Sequence, residues 1–127
     1  MELDTIDHLV LTVRDIPASI AFYTRVLGMR EIRFGDNRRA LAFGCCKLNL
    51  HQPGNEFEPK AACPMPGAAD VCLLTRTPME AIVQHLATQQ VAIETGPVQR
   101  TGAQGAILSV YLRDPDGNLI ELANPLA

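Results

Sequence analysis

The segment Thr5–Thr12, TIDHLVLT, is repeated weakly as Gly67–Leu74, GAADVCLL, at a shift of 62 residues. The segment Leu48–His51, LNLH, resembles Asn118–Glu121, NLIE, where the shift has grown to 70 residues. The two ends of the first half of the chain therefore recur in the second half. This repeat predicts two copies of one folding unit, with about eight extra residues in the second copy.

Composition fits one compact domain. The chain has 127 residues, of which 47% are hydrophobic, and this length lies in the commonest size range for a single domain. A net charge of −3 and a pI of about 5.5 argue against nucleic acid as a partner. No apolar run approaches the ~20 residues of a membrane span, and the first four residues do not resemble a signal peptide. The four cysteines lack metal-type spacing, so we expect reduced thiols and a cytoplasmic location.

The first copy predicts a βαβββ module over residues 4–52. The apolar run Ile6–Val13 has the length and β-branched content of a strand. Asp15 can cap a helix whose first turn contains Pro17, and Gly28 suits the left-handed end of that helix. Three short strands follow and end at His51. Residues 53–67 are rich in proline and glycine and read as a linker.

The second copy predicts the same plan over residues 68–125. A strand begins at Asp70, and Thr77 with Glu80 forms a capping box for a helix. Three further strands are expected at Val91–Glu94, 106–112 and 118–123. The extra length falls in Gly96–Gly105, which we interpret as a mobile lid. The expected fold is α+β, with two βαβββ modules forming an eight-stranded mixed sheet that curls around a cleft.

Four potential metal ligands occupy two pairs of repeat-equivalent positions. His8 and Asp70 lie at the starts of the opening strands, and His51 and Glu121 lie at the ends of the matching closing segments. Glu121 stands inside an apolar strand, where an unpaired charge would be costly, so it needs a partner. If the two copies pack about a pseudo-twofold axis, all four side chains could converge.

The chain resembles the vicinal oxygen chelate superfamily, which includes glyoxalase, bleomycin resistance protein and extradiol dioxygenase. Three motifs carry this resemblance: Asp7–Val13, Phe22–Met29 and Asp114–Leu122. A closer similarity is to the glyoxalase-domain-containing protein 5 type. It rests on three further segments: Asn49–His51, Glu56–Ala62 and Gly96–Ala103.

The resemblance implies a divalent metal held by His8, His51, Asp70 and Glu121. With Asp70 bound, the ligand set suits Ni, Co, Mn or Zn; without Asp70, two histidines and one glutamate form a facial triad that suits Fe. Many relatives have histidine at the position of Asp70. A carboxylate released from the metal, Glu121 or Asp70, would act as the catalytic base.

Three classes of function remain open at this stage. The first is a glyoxalase-like lyase or isomerase that acts on a small molecule with adjacent oxygens. The second is an Fe(II) extradiol-type dioxygenase, and the third is a resistance-type protein that binds a small molecule without catalysis. We expect Arg39, Arg100 and Gln104 to contact the substrate. Relatives commonly pair two chains, so a homodimer is expected, with no nucleic acid and no membrane as partner.

Overall fold

A computed structural model of the protein describes residues 1–126 and divides into two compact units. The first unit, Met1–Ala68, contains the following elements: β1 (His8–Thr12), α1 (Ile16–Arg25), β2 (Arg30–Phe34), β3 (Arg38–Phe43) and β4 (Cys46–His51). The second unit begins at Ala69 and contains the following elements: β5 (Asp70–Leu74), α2 (Met79–Thr88), β6 (Thr95–Gly102), β7 (Gly105–Arg113) and β8 (Leu119–Pro125). The predicted βαβββ plan of each half is confirmed.

The first unit is a four-stranded mixed sheet in the order β1-β4-β3-β2, with α1 against β2 and β3. β1 runs parallel to β4, and the other neighbours are antiparallel. Asp15 caps α1 as expected, because its side chain accepts a hydrogen bond from the Ala18 N–H at 3.3 Å. Gly28 follows the helix with φ +69°, the left-handed conformation that glycine adopts without a steric penalty. Alternate side chains of the sheet and one side of α1 are buried and form the core, among them Leu41, Leu48, Leu50, Ile20 and Tyr23.

The second unit repeats this plan in the order β5-β8-β7-β6, again with one parallel pair, β5 with β8. Its core combines three residues of α2 with alternate residues of β7 and β8, among them Ile82, Leu86, Val110, Leu112 and Ile120. The predicted capping box of α2 is wrong. Pro78 occupies the cap position without a side-chain bond, and the Thr77 N–H donates instead to Thr75 Oγ1 at 3.1 Å.

The segment predicted as a lid is a β-strand. Thr95–Gly102 is β6, and it pairs with β7 through a two-residue turn at Ala103 and Gln104. No strand forms over Val91–Glu94, where one was expected. β6 and β7 span eight and nine residues, whereas their counterparts β2 and β3 span five and six. The hairpin of the second copy, Thr95–Arg113, is therefore five residues longer than Arg30–Phe43 in the first.

The predicted α+β class is confirmed, and the eight strands are hydrogen-bonded as two four-stranded sheets. Along residues 1–126, none of the helices is long and apolar enough to cross a membrane.

Candidate functional site

One face of the first sheet carries the polar side chains. Side chains alternate between the two faces of a strand, so Asn49 and His51 project from the same side of β4. The strand register aligns Val10 with Asn49 and Thr12 with His51, which brings His8 onto this side of β1. We call this side the polar face of the first sheet. Leu48 and Leu50, on the opposite side of β4, belong to the core.

The register corrects the repeat alignment of the last strands. His8 pairs with Lys47 in the first unit, and Asp70 pairs with Leu119 in the second. If His8 is matched to Asp70, the residue equivalent to Glu121 is therefore Asn49, at a shift of 72 residues rather than 70. His51 falls two residues further along β4. The sequence repeat missed Asn49 because the two segments also match at the shift of 70.

The structure does not bring His8 and His51 together. His8 lies beside Lys47, and His51 is four residues further along the same strand, which is about 13 Å at ~3.3 Å per residue. A metal bound at about 2.0–2.1 Å from each imidazole nitrogen cannot be shared across that separation by two side chains that project from one sheet face. His8 and Asn49, by contrast, lie on a short diagonal between neighbouring strands.

His8 has the partner that metal-binding histidines commonly have. Its Nδ1 lies 2.8 Å from Asp7 Oδ2, and the His8 side chain is 45% exposed. A carboxylate at Nδ1 fixes the ring and its tautomer, which leaves Nε2 available to a metal.

Two buried polar atoms on the polar face of the first sheet have no hydrogen-bond partner. They are Asn49 Oδ1 and His51 Nε2, in residues that are 4% and 3% exposed. Burial lowers the pKa of His51 below its usual 6.5, the positive charge of Arg38 lowers it further, and Glu56 opposes both effects. The imidazole is therefore neutral near pH 7 and can bind a metal or take part in a hydrogen bond.

Glu121 is held by neighbours on its own sheet. The Ser109 hydroxyl donates to Glu121 Oε2 at 2.5 Å, and Cys72 faces Glu121 in the register of β5 and β8. Asp70 and Glu121 lie on the same diagonal as His8 and Asn49 do in the first sheet. Glu121 therefore has the partner that its place in an apolar strand requires, and that partner is the Ser109 hydroxyl.

Cys72 is a poor nucleophile in this setting. Partial burial of the thiol, then the charge of Glu121 and its hydrogen bond, raise the pKa of Cys72 to about 11. The thiol therefore keeps its proton near pH 7 and serves as a donor beside Glu121. All four cysteines are free, as the sequence predicted.

The three residues predicted to contact substrate lie in different settings. Arg39 donates to Glu31 at 2.5 Å and 2.9 Å, and it projects from the core side of β3, opposite to the polar face of the first sheet. Arg100 donates to the Tyr111 hydroxyl at 3.2 Å, on the side of the second sheet that carries Glu121. Gln104 is exposed at the tip of the β6–β7 hairpin. Only Arg100 therefore shares a sheet face with a predicted metal ligand.

The acidic motif before β8 fixes the start of that strand. Asp114 Oδ1 accepts hydrogen bonds from the N–H groups of Asp116 and Asn118, each at 2.9 Å. Asn118 donates to Asp114 Oδ2 and accepts from the Ala69 N–H, each at 2.8 Å. These buried contacts join the residue before β5 to the residue before β8. They therefore fix the register that places Asp70 and Glu121.

Two βαβββ modules, each with a polar pair on the same diagonal of its parallel strands, define an α+β protein built by duplication of one module. Residues 5–122 match the family described as the Glyoxalase/Bleomycin resistance protein/Dioxygenase superfamily. The chain belongs to this superfamily.

The chain is similar to several known proteins. The chain is 54% identical over 123 residues to virulence protein STM3117 of Salmonella typhimurium, covering 97% of this chain and 85% of that protein. The crystal structure of that protein superposes with a TM-score of 0.98 at 53% identity, covering 99% and 100% of the two chains. Lactoylglutathione lyase of Salmonella typhimurium is 32% identical over 133 residues, covering 91% and 88%. TnmS3, an antibiotic binding protein from Streptomyces, shares the fold, with a TM-score of 0.76 at 22% identity and coverage of 99% of both chains.

The donors present fit a divalent metal in chemistry, although no cluster of three is formed. Among residues 1–126, no group of three His, Cys, Asp or Glu side chains lies close enough to hold a metal ion. Each unit nevertheless offers an oriented pair: His8 with the unpartnered amide oxygen of Asn49, and Asp70 with Glu121. Imidazole, amide and carboxylate donors suit Ni, Co, Mn, Zn or Fe.

Proposed function

We propose that the protein is a divalent-metal-dependent, glyoxalase-like enzyme of lyase or isomerase type, acting on a small molecule with adjacent oxygens. The observation that carries this proposal is the repeated diagonal, which pairs His8 with Asn49 and Asp70 with Glu121. Similarity to a lactoylglutathione lyase supports the class of reaction.

The proposed ligands are His8, Asp70 and Glu121, with Asn49 as a further oxygen donor. When bound, the metal would hold two adjacent oxygens of the substrate and stabilise the negative charge that develops as a proton leaves. His51, predicted as a ligand from the sequence, is replaced in this proposal by Asn49. The reason is the strand register, which sets His51 about 13 Å along β4 from the level of His8.

Glu121 is the proposed base that moves the proton, and Asp70 is the second candidate for this role. The Ser109 hydroxyl donates to Oε2 of Glu121 and orients the carboxylate, which retains lone pairs that can accept a proton from the substrate. Cys72 beside it keeps its own proton because its pKa is about 11. The thiol therefore stabilises the charged carboxylate without competing as a nucleophile.

Two other classes were open from the sequence. The dioxygenase hypothesis needs His8, His51 and Glu121 on one iron, and the separation of the two histidines along the sheet argues against it. The binding-protein hypothesis has support from the shared fold of TnmS3. It predicts that a small molecule binds without turnover, so a test for turnover distinguishes it from the enzyme hypothesis.

We also propose that the protein acts as a cytoplasmic homodimer with neither nucleic acid nor membrane as partner. Free cysteines suit a reducing compartment. Apolar side chains stand exposed on the first strand of each unit: Leu9 and Val10 are 41% and 46% exposed, and Leu74 is 64% exposed. Edge strands with exposed apolar side chains commonly pair with another chain. Sedimentation equilibrium gives the test, and a monomer at micromolar concentration would contradict the proposal.

Metal content after dialysis tests the ligand set. Each of His8→Ala and Glu121→Gln is expected to lose the metal that the wild type retains at about one ion per chain. His51→Gln should retain it, and His85→Gln in α2 is the matched histidine control. Full metal content in His8→Ala would refute the proposal, and loss in His51→Gln would restore the ligand set expected from the sequence. Metal retention without turnover of any 2-oxoaldehyde hemithioacetal or related hydroxycarbonyl compound would favour the binding-protein class.

A further inference from the structure

One row of side chains crosses the polar face of the first sheet at the level of His51. Thr12 on β1 pairs with His51 on β4, and Arg39 pairs with Leu50, so the preceding residue Arg38 stands opposite His51. Phe34 on β2 pairs with Arg38 and completes the row. This row lies two residues along β4 from Asn49, which is about 7 Å.

Two positive charges contact the aromatic rings at one end of this row, Arg38 from the row itself and Lys47 from the level of His8 on β4. The Arg38 guanidinium lies 4.9 Å from the centre of the Phe34 ring and 4.6 Å from that of the Phe57 ring. Lys47 Nζ lies 3.6 Å from the centre of the same Phe34 ring. Stacking on aromatic rings uses the faces of a guanidinium and leaves the N–H groups at its edge available to an acceptor.

Neither cation has an acidic partner. Within residues 1–126, no carboxylate forms an ion pair with Arg38 or Lys47, and no hydrogen bond engages the Arg38 guanidinium. Glu56 acts on His51 electrostatically, but its carboxylate accepts the Gly54 N–H at 3.1 Å and lies 3.8 Å from Lys60. Two cations that contact one aromatic ring without an ion-pair partner repel each other, and a bound anion would reduce that repulsion.

The buried imidazole at the centre of the row supplies an independent observation. His51 is 3% exposed, its ring packs edge to face on Phe57 with centres 5.6 Å apart, and its Nε2 has no partner. A buried polar atom without a partner is costly, so its presence opposite Arg38, a cation without an ion-pair partner, indicates a ligand that this surface receives.

We infer that Arg38, Lys47 and His51 form a binding site for an oxyanion, a carboxylate or a phosphate, of a small organic acid. This inference deepens the proposed function, on which it rests for the assumption that the polar face of the first sheet receives the substrate. Arg38 binds the anion through its guanidinium edge, Lys47 neutralises it, and His51 Nε2 takes the remaining hydrogen bond. The substrate then carries its anionic group about 7 Å from the oxygens that face Asn49.

Nuclear magnetic resonance titration of the metal-stripped protein tests the site directly. Inorganic phosphate and acetate are added separately at constant ionic strength, while the His51 ring and the Arg38 side-chain N–H signals are followed. We expect saturable shifts at both residues for at least one anion. Arg38→Met should weaken that binding by roughly tenfold or more, since a hydrogen bond to a charged group contributes at least that much.

Control variants separate this site from general charge effects. Arg33→Met removes the same charge from β2. Arg33 lies on the other side of the sheet from Phe34, and its side chain is 70% exposed. The affinity for the anion should stay within about twofold of the wild type. Arg38→Lys should retain part of the affinity. Lys47→Met provides a second variant if Arg38→Met folds poorly, and it should also weaken binding.

The response to each anion distinguishes which chemical group the site binds. Saturation by phosphate alone assigns a phosphate group, saturation by acetate alone assigns a carboxylate, and saturation by both assigns the shared oxyanion chemistry. Shifts that do not saturate for either anion, or equal losses in Arg33→Met and Arg38→Met, would overturn the inference. Because the titration uses metal-free protein, the metal site can fail its own test while this site passes, and the reverse.

Discussion

Replacing Asn118 with alanine should destabilise the second unit more than the same substitution at an exposed asparagine does. Asn118 is 1% exposed and makes two side-chain hydrogen bonds, to the Ala69 N–H and to Asp114 Oδ2, each at 2.8 Å. The first joins the start of β5 to the start of β8. The second holds the carboxylate that organises the turn before β8.

The size of the effect follows from these two contacts. A hydrogen bond to a charged group contributes about 1.5–3 kcal/mol, and a neutral one about 0.5–1.5 kcal/mol. Asn118→Ala removes one of each, and the Ala69 N–H loses its acceptor. We therefore expect a loss of roughly 2–4 kcal/mol in the free energy of unfolding.

Urea unfolding followed by circular dichroism measures this loss. Asn55→Ala is the control, because Asn55 is exposed and only its backbone N–H is bonded, to Gln52 O at 3.0 Å; it should change stability by less than about 0.5 kcal/mol. The dependence on urea concentration should stay the same in both variants. A loss below about 1 kcal/mol for Asn118→Ala would show that the two contacts do not stabilise the fold as argued.

Three further results are expected. Glu121→Gln should speed the alkylation of Cys72 at pH 8, because it removes the negative charge that helps to raise the thiol pKa to about 11. An unchanged rate would assign the raised pKa of Cys72 to burial alone. Gly96→Ala should lower the free energy of unfolding by at least ~2 kcal/mol in thermal unfolding, because the added Cβ would lie 2.4 Å from the Ser109 carbonyl oxygen. A loss under ~0.5 kcal/mol would contradict the hairpin geometry. The pKa of His51 is lowered in the folded protein, so the unfolded chain binds a proton at this residue more readily. The free energy of unfolding should therefore fall as the pH drops below 6.5. His51→Gln should reduce this pH dependence, and an unchanged dependence would assign it to other groups.

The module plan could be predicted from the sequence because local signals agree with it. The apolar run at β1, the cap at Asp15 and the left-handed Gly28 each act within a few residues of chain. The same kind of signal failed at α2, where Thr77 and Glu80 have capping-box spacing but Thr75 bonds the Thr77 amide. Local competition between two neighbouring hydroxyl residues is not visible in spacing.

β6 was missed because its sequence, TGPVQRTG, has the composition of a loop. Gly96 adopts φ +103° close to the β7 backbone, and the register shifts between Thr95 and Val98. Bulges of this kind use glycine, and proline is tolerated on an edge strand such as this one. The strand is formed by its long pairing with β7, which no local pattern reveals.

The site was only partly predictable because it depends on strand register. The sequence identified His8, Asp70 and Glu121 as polar residues at strand ends, whereas Asn49 became a candidate only when the pairing of β1 with β4 was known. Arg39 was predicted to contact the substrate, whereas the register places its neighbour Arg38 on the polar face of the first sheet. Neighbouring residues of a strand face opposite sides, and the choice between them requires the register.

The longer hairpin of the second unit has an evolutionary consequence. Added residues in β6 and β7 lengthen the strands at one edge of the sheet, whereas the parallel pair β5 and β8 at the other end keeps the diagonal of Asp70 and Glu121. After duplication of an ancestral half, one copy could therefore grow without shifting the positions that the two copies hold in common. Selection could then remodel the hairpin for new ligands while the inherited diagonal remained in place.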